Sequence, residues 1–276
     1  MNKRFFFGFF LLFFFLCSGT GEAFVPQAPH LLYLMIEKIK QPVGIEVFQT
    51  KKIFNYDETG ENFVNIDEKL IYAYPNRFRA ETISDTQINF SVESDFEFVR
   101  VTDGLIVSRK KALVDLYTDI LLYRDYESLI NHLILAGVDT TKVSFQRYND
   151  TICYVIGSPL EKGKPFAGLW IEKDTFLPIK YVAEKNGMLV EFFYKNWQRV
   201  SKTLYPMQVD IFLDNHLFAM IHVKNFDLKS GFSPFLFDVE HILQLYPENN
   251  QDVVDENSRQ VDELDKSIEE FKKLYE

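Results

Sequence analysis

Between Gly44 and Phe226 the chain is a succession of short apolar-alternating runs separated by turns too tight to hold a crossover helix, so neighbouring strands must run antiparallel. Strands are expected at 44–55, 63–74, 77–82, 87–93, 96–101, 105–109, 143–148, 152–157, 168–172, 179–184, 189–196, 204–213 and 217–226. In the second run Val64, Ile66, Leu70, Tyr72 and Tyr74 share one side, while Asn65, Asp67 and Lys69 share the other. Pro75-Asn76, Asp103-Gly104, Asn149-Asp150, Asn186-Gly187 and Asp214-Asn215 supply turn residues between runs. A long, twisted antiparallel sheet cannot stay flat and should curl toward a barrel.

Two stretches of this body switch to a helical period. Leu31, Leu34, Met35 and Ile39 share a face over 29–40, with Pro29 suited to a first turn. Over 112–136, Leu113, Leu116, Ile120 and Tyr123 form one stripe and Tyr126, Leu129, Ile130 and Leu133 another, giving one long or two short helices stopped at Gly137. Late in the chain, Met188, Val190, Phe192 and Tyr194 oppose Leu189, Glu191 and Phe193, and Leu217, Ala219, Ile221 and Val223 oppose Phe218 and Met220. Such strands need cover on both faces. One face should be an interior closed by the inserted helices. The other is a dock for the C-terminal helix, or a membrane or partner patch. By contrast Gln208 and Asp210 mark a wet face over 207–213.

The ends carry different signals. Lys3-Arg4 precedes an apolar run over 5–17 and then Gly21-Glu22-Ala23, the layout of a secretory signal peptide over 1–23, cleaved after Ala23 on export to the periplasm. The run is shorter than the roughly 20 apolar residues a membrane span needs. The competing reading lipidates Cys17, but that processing prefers a small residue just before the cysteine and Leu16 stands there. The body spans 24–246, followed over 247–276 by a polar linker and an acidic helix whose Val261, Leu264, Ile268, Phe271 and Tyr275 share a face. That helix either docks on the body or recruits a partner.

Loss of Lys3, Arg4 and Glu22 with the signal leaves 28 basic and 39 acidic residues, a net charge of −11, of which −5 lies from Asn249 onward. Nucleic acid, which is held by basic patches, is excluded as a partner. One cysteine, Cys153, remains, so no intramolecular disulfide forms, and its β-rich apolar surroundings read as those of a buried, inert thiol. His30, His132, His216, His222 and His241 include no pair at metal-ligand spacing on one helix. Asp238, Glu240 and His241 read as a solvated helix face, and the S-x-x-K of Ser108 and Lys111 is too short a pattern to carry chemistry. No G-x-S-x-G, phosphate loop or G-x-G-x-x-G is present. The expectation is a protein without metal, cofactor or catalytic activity.

Several short motifs, in order, carry a resemblance: the helix at 31–39 followed by VFQT, LIYAYPNRFRAE at 70–81, VTDGLIV at 101–107, LWIEKDTFLPIKY at 169–181 and FSPFLFDV at 232–239. This arrangement resembles the periplasmic lipoprotein-carrier, or LolA-like, family over about residues 30–240. The resemblance implies a mainly β fold: an unclosed, strongly curved antiparallel barrel of roughly eleven strands with a helical lid. It further implies a monomer that shelters lipoprotein acyl chains or a comparable amphiphile between lid and sheet, in lipoprotein sorting to the outer membrane with envelope membrane proteins as partners. Tyr72, Tyr74 and Phe78, with Leu116, Ile120, Leu129 and Leu133 of the lid, are the expected cavity lining; the alternative is that they are plain core. One departure stands out. Well-studied carriers hold an arginine just before the Pro-Asn turn, tying lid to barrel, and here that residue is Tyr74; Arg77 and Arg79 alternate outward if Phe78 points inward. Acceptor and stress-sensor proteins share the fold, so an envelope sensor without carrier activity is the second reading, and an enzyme acting on lipid the third.

Overall fold

The computed structural model describes residues 25–40, 42–57, 60–84, 87–159, 164–185 and 187–249. The expected signal peptide, its cleavage site, Asn186 and the expected helix over 261–275 lie outside them. Each expected run forms a strand: β1 (Gly44–Asp57), β2 (Gly60–Ala73), β3 (Arg77–Thr82), β4 (Phe90–Ser94), β5 (Glu97–Thr102), β6 (Leu105–Ser108), β7 (Val143–Tyr148), β8 (Thr151–Ile156), β9 (Gly168–Glu172), β10 (Pro178–Lys185), β11 (Met188–Val200), β12 (Thr203–Leu213) and β13 (His216–Lys229). They make one antiparallel sheet in the order β6-β5-β4-β3-β2-β1-β13-β12-β11-β10-β9-β8-β7. β6 and β7 end the sheet without meeting, so it is an open, curved barrel of thirteen strands, two more than the resemblance implied.

The hairpins follow from turn chemistry. Asp103-Gly104, Asn149-Asp150 and Asp214-Asn215 all take positive φ at both positions, the twist that lets two-residue loops match right-twisted strands. Asp95-Phe96 does the same, and a phenylalanine there is not what turn propensity selects.

Helix α1 (Ala28–Ile39) precedes the sheet and buries Ala28, Leu31, Leu32, Met35 and Ile39; Leu32 takes the core place expected of Leu34. Between β6 and β7 the chain forms the lid: a 3-10 turn (Leu113–Thr118), then α2 (Asp119–Leu122) and α3 (Tyr126–Leu135). Asp125 caps α3 by accepting from Ser128 N at 2.9 Å. Gly137, at φ +84, stops it: Gly137 N donates to Ile134 O and Val138 N to Leu133 O, at 3.0 and 2.9 Å.

The two faces of the sheet change character along its width. From β7 through β13 to β2 the inner face is apolar, with Tyr154, Ile156, Leu169, Ile171, Tyr181, Val190, Phe192, Val209, Ile211, Ala219, Ile221, Val47, Leu70 and Tyr72 packed against α1 and the lid. Over β4 to β6 it is the outer face that is apolar. There Phe90, Val92, Val99, Val101 and Ile106 join Ile71 and Ala73 of β2 under Phe237, Val239 and Ile242, contributed by a 3-10 turn (Pro234–Phe237) and α4 (Val239–Leu245). The chain after α4 then bonds to the free edge of β6, with Ile106 N donating to Pro247 O at 2.9 Å and Asn249 N to Ile106 O at 3.0 Å. On the outer face of β8 to β11, a third cluster of Cys153, Val155, Trp170 and Val182 gathers Tyr148, Phe166, Ile179 and Leu189. Side chains of the sheet and its loops therefore supply part of the outer cover expected of a helix. Cys153 is fully buried, and burial pushes its thiol up to about 11.

Candidate functional site

The inner face of β1 shows where the site lies. Ile45, Val47, Gln49 and Lys51 alternate inward and are all buried, so an apolar row turns polar halfway along the strand. Gln49 stands opposite Glu68 of β2, and its amide donates to the Glu68 carboxylate at 2.7 Å. Because β4 and β5 turn Val92 and Val99 outward, their alternate residues Glu93 and Arg100 project inward on the same side as Lys51. The concavity thus has an apolar floor and a charged flank, and the lid lies across both.

The seven residues expected as lining come together. Tyr72, Tyr74, Phe78, Ile120, Leu129 and Leu133 are buried in one cluster, and half-buried Leu116 packs against it. Tyr72 contacts Phe78 and Tyr205 with ring centroids 4.9 and 6.0 Å apart, and the Tyr72 and Tyr205 hydroxyls share a hydrogen bond of 3.0 Å. Leu70 and Phe78 border a recess of about 70 Å³ that is otherwise walled largely by polar residues, including Lys51, Glu68, Arg100, Lys111 and Asp115. In this closed arrangement the lid fills the space above the apolar floor with its own side chains.

Charge pins the lid to the flank. Asp115 meets Arg100 Nη2 at 2.5 Å and Lys51 Nζ at 3.4 Å, and Lys51 also lies 3.3 Å from Glu68. One turn on, Asp119 bonds to Lys111, whose ammonium reaches Glu93 at 2.6 Å, while the Tyr123 hydroxyl donates to the other Glu93 oxygen. Burial works to raise both aspartates, but Lys51 and Arg100 at Asp115, and Lys111 and His132 at Asp119, outweigh it and hold both carboxyls below the usual range. Burial likewise opposes the Lys111 charge, and Asp119 and Glu93 overcome it, so its pKa is raised. His132 stacks on Tyr123 and lies near Phe96, at 3.6 and 5.4 Å between centroids.

Glu93, Asp119 and His132 bring ligand-type atoms within 4.8 Å of one another. The Lys111 ammonium bridges the two carboxylates, so the charge a cation would bring is already supplied by a tethered one. Sequence spacing misses this group because its members come from β4 and two helices. The same contacts remove Lys111 from any S-x-x-K chemistry, and the Ser108 hydroxyl bonds instead to the Lys110 backbone. His241 lies exposed on α4, whose Asp238 is the N-cap, accepting from His241 N at 2.9 Å.

The β2–β3 corner resolves the missing arginine. Phe78 points inward, and Arg77 and Arg79 face outward, over the Phe237 and Phe90 rings. Tyr74 donates its hydroxyl to Leu121 O of the lid at 3.1 Å, and its ring carries the Arg124 guanidinium, 4.8 Å from the centroid. Arg124 in turn donates through Nε to Leu121 O at 2.9 Å and through Nη1 to Lys40 O beyond α1. The tie between lid and barrel is therefore made with the cation on the lid and the aromatic ring on the sheet side.

No established family profile matches the sequence, and no curated protein matches it. Solved structures do match the fold. A LolA superfamily protein from Nitrosomonas europaea superimposes with a TM-score of 0.54 at 10% identity, over 79% of this chain and 100% of its own. A putative outer membrane lipoprotein-sorting protein domain from Vibrio parahaemolyticus gives 0.51 at 10% identity, over 78% and 97%. A DUF1329 family protein from Desulfovibrio piger gives 0.52 at 13% identity, over 78% and 98%. The open thirteen-stranded sheet with its helical lid is thus a LolA-like fold.

Proposed function

We propose that this protein is a periplasmic carrier that shelters the acyl chains of a lipoprotein, or of a comparable amphiphile, between lid and sheet without performing bond chemistry. The observation that carries this reading is the construction of the lid. A helical insertion presents Ile120, Leu129 and Leu133 to an apolar concave floor, yet it is not paired into the sheet: apart from one backbone bond at its C-terminal end, Glu184 N to Ala136 O at 2.8 Å, it meets that floor through side-chain contacts. Two apolar surfaces that can separate as bodies are what an acyl chain needs, because each methylene transferred between them contributes about 0.8 kcal/mol. Ten methylenes are then worth about 8 kcal/mol before the costs of association, which take several kcal/mol of it. The fully buried Tyr181 hydroxyl, which has no hydrogen-bond partner among the described residues, adds support, since an ester oxygen of an acylated ligand would accept from it.

Titration with a fluorescent acyl probe tests the assignment. Leu116 is the residue to change, since it is half-buried, whereas a charge at fully buried Leu129 would cost the fold itself. Leu116→Gln should weaken probe binding by about three- to tenfold, the equivalent of one or two buried methylenes. Unchanged probe affinity in a folded variant would contradict the lid role.

A further inference from the structure

Arg124 differs from the other buried cations of the lid region. Lys51, Arg100 and Lys111 each face a carboxylate. Arg124 is 2% exposed, and among the described residues no carboxylate pairs with it; its contacts are two backbone carbonyls and the Tyr74 ring. Its Nη2 is buried with no hydrogen-bond partner among the described residues. The carbonyls at the ends of α1 and α2 offer only fractional negative charge. A whole positive charge therefore sits under-compensated, with the two N–H bonds of Nη2 undirected.

Its position says what would complete it. On one side Tyr74 belongs to the apolar cluster between lid and sheet. On the other, Lys40 and Val43 are exposed, so the guanidinium lies one residue beneath the rim of the concavity. A chain lying under the lid would present its polar end at that rim. A guanidinium fork matches the two oxygens of a carboxylate or phosphate and forms charge-assisted hydrogen bonds with them.

We infer that Arg124 is the subsite for an anionic head group, a phosphate or carboxylate carried by the amphiphile whose chain lies beneath the lid. This rests on the binding function proposed above and adds ligand charge to it.

The test compares 1-oleoyl lysophosphatidic acid with 1-oleoylglycerol, which differ only by the phosphate, on the whole mature chain. The wild-type protein should bind the anionic lipid at least tenfold more tightly. Arg124→Gln should erase that preference, bringing the two lipids to equal affinity whatever happens to 1-oleoylglycerol binding itself, and Arg124→Lys should keep part of it. Equal affinities in the wild type, or a preference that survives in Arg124→Gln, overturn the subsite and leave the binding function standing. Binding of neither lipid overturns both. If millimolar inorganic phosphate alone abolishes the preference, the site takes free anions and the head-group assignment fails. The wild-type comparison stands by itself should a variant fold poorly.

Discussion

Tyr74 joins the sheet to the lid through one hydroxyl and one ring face. Removing the hydroxyl with Tyr74→Phe leaves Leu121 O with Arg124 Nε as its remaining side-chain donor and keeps the ring under the guanidinium. The expected loss is about 0.5–1.5 kcal/mol. In thermal unfolding this lowers the midpoint by about 2–4 °C per kcal/mol for a chain of this size. A midpoint unchanged within error would show that the Tyr74 bond does not hold the lid. Burial pushes the Tyr74 hydroxyl up to about 12, against the opposing pull of Arg124, so it remains a donor across the neutral range. At this scale the sequence is only half informative. Phe78-in and Arg77-out follow from the two-residue period alone. The partner of Tyr74 does not, because Arg124 lies 50 positions away on an element whose placement the period cannot give.

At the level of elements, the lid is held by unlike means on its two sides: apolar packing over β7 to β13, and ion pairs over β1, β4 and β5. Asp115 is the residue common to β1 and β5, through Lys51 and Arg100. Asp115→Asn should therefore release the 3-10 turn and α2 locally. Hydrogen exchange should accelerate across 113–135 while β11 and β12 keep their protection, since their backbone bonds do not depend on the lid. Equal acceleration in the sheet would mean that the aspartate supports global stability and is no latch. The helical lid was visible in the sequence as a change of period, and Gly137 as its stop. The latch was not, although one signal existed: Gln49 and Lys51 continue the inward row of Ile45 and Val47, and polar residues in phase with a core row need buried partners. Those partners, Glu68, Asp115 and Tyr117, come from β2 and the 3-10 turn of the lid, and no local pattern pairs them. The reversal of the apolar face over β4 to β6 was equally hidden, because short strands alternate on both faces and only the docking of α4 decides which side is core.

For the whole molecule, buried charges set the pH range of the fold. Asp115 and Asp119 have folded values below their unfolded value of about 3.9, so each contributes stability that is complete above that value and is lost as pH falls through the folded one. Lys111, raised in the fold, contributes fully below about 10.4 and loses its contribution as pH rises through its folded value. The buried tyrosines Tyr72, Tyr181, Tyr194 and Tyr205 are raised by burial and act in the same direction, because the unfolded chain ionises first as pH passes about 10. Thermal midpoints should be level from about pH 5 to 9 and fall on both sides. A midpoint that declines steadily between pH 8 and 6 would contradict this balance.

An interface between lid and sheet that opens around acyl chains should carry them through purification, so mass spectrometry of an organic extract from protein purified without detergent tests it. A parallel extract comes from a Tyr74→Phe, Leu129→Ala double variant, which loosens the lid and shortens its central apolar contact. Acyl lipid or lipoprotein should co-purify with the wild type at near-stoichiometric yield and be clearly lost from the variant. A clean wild-type protein that also takes up no acyl probe would contradict it. Tyr72, Tyr74, Phe78, Leu116, Ile120, Leu129 and Leu133 would then be the ordinary core of an envelope sensor built on the same fold.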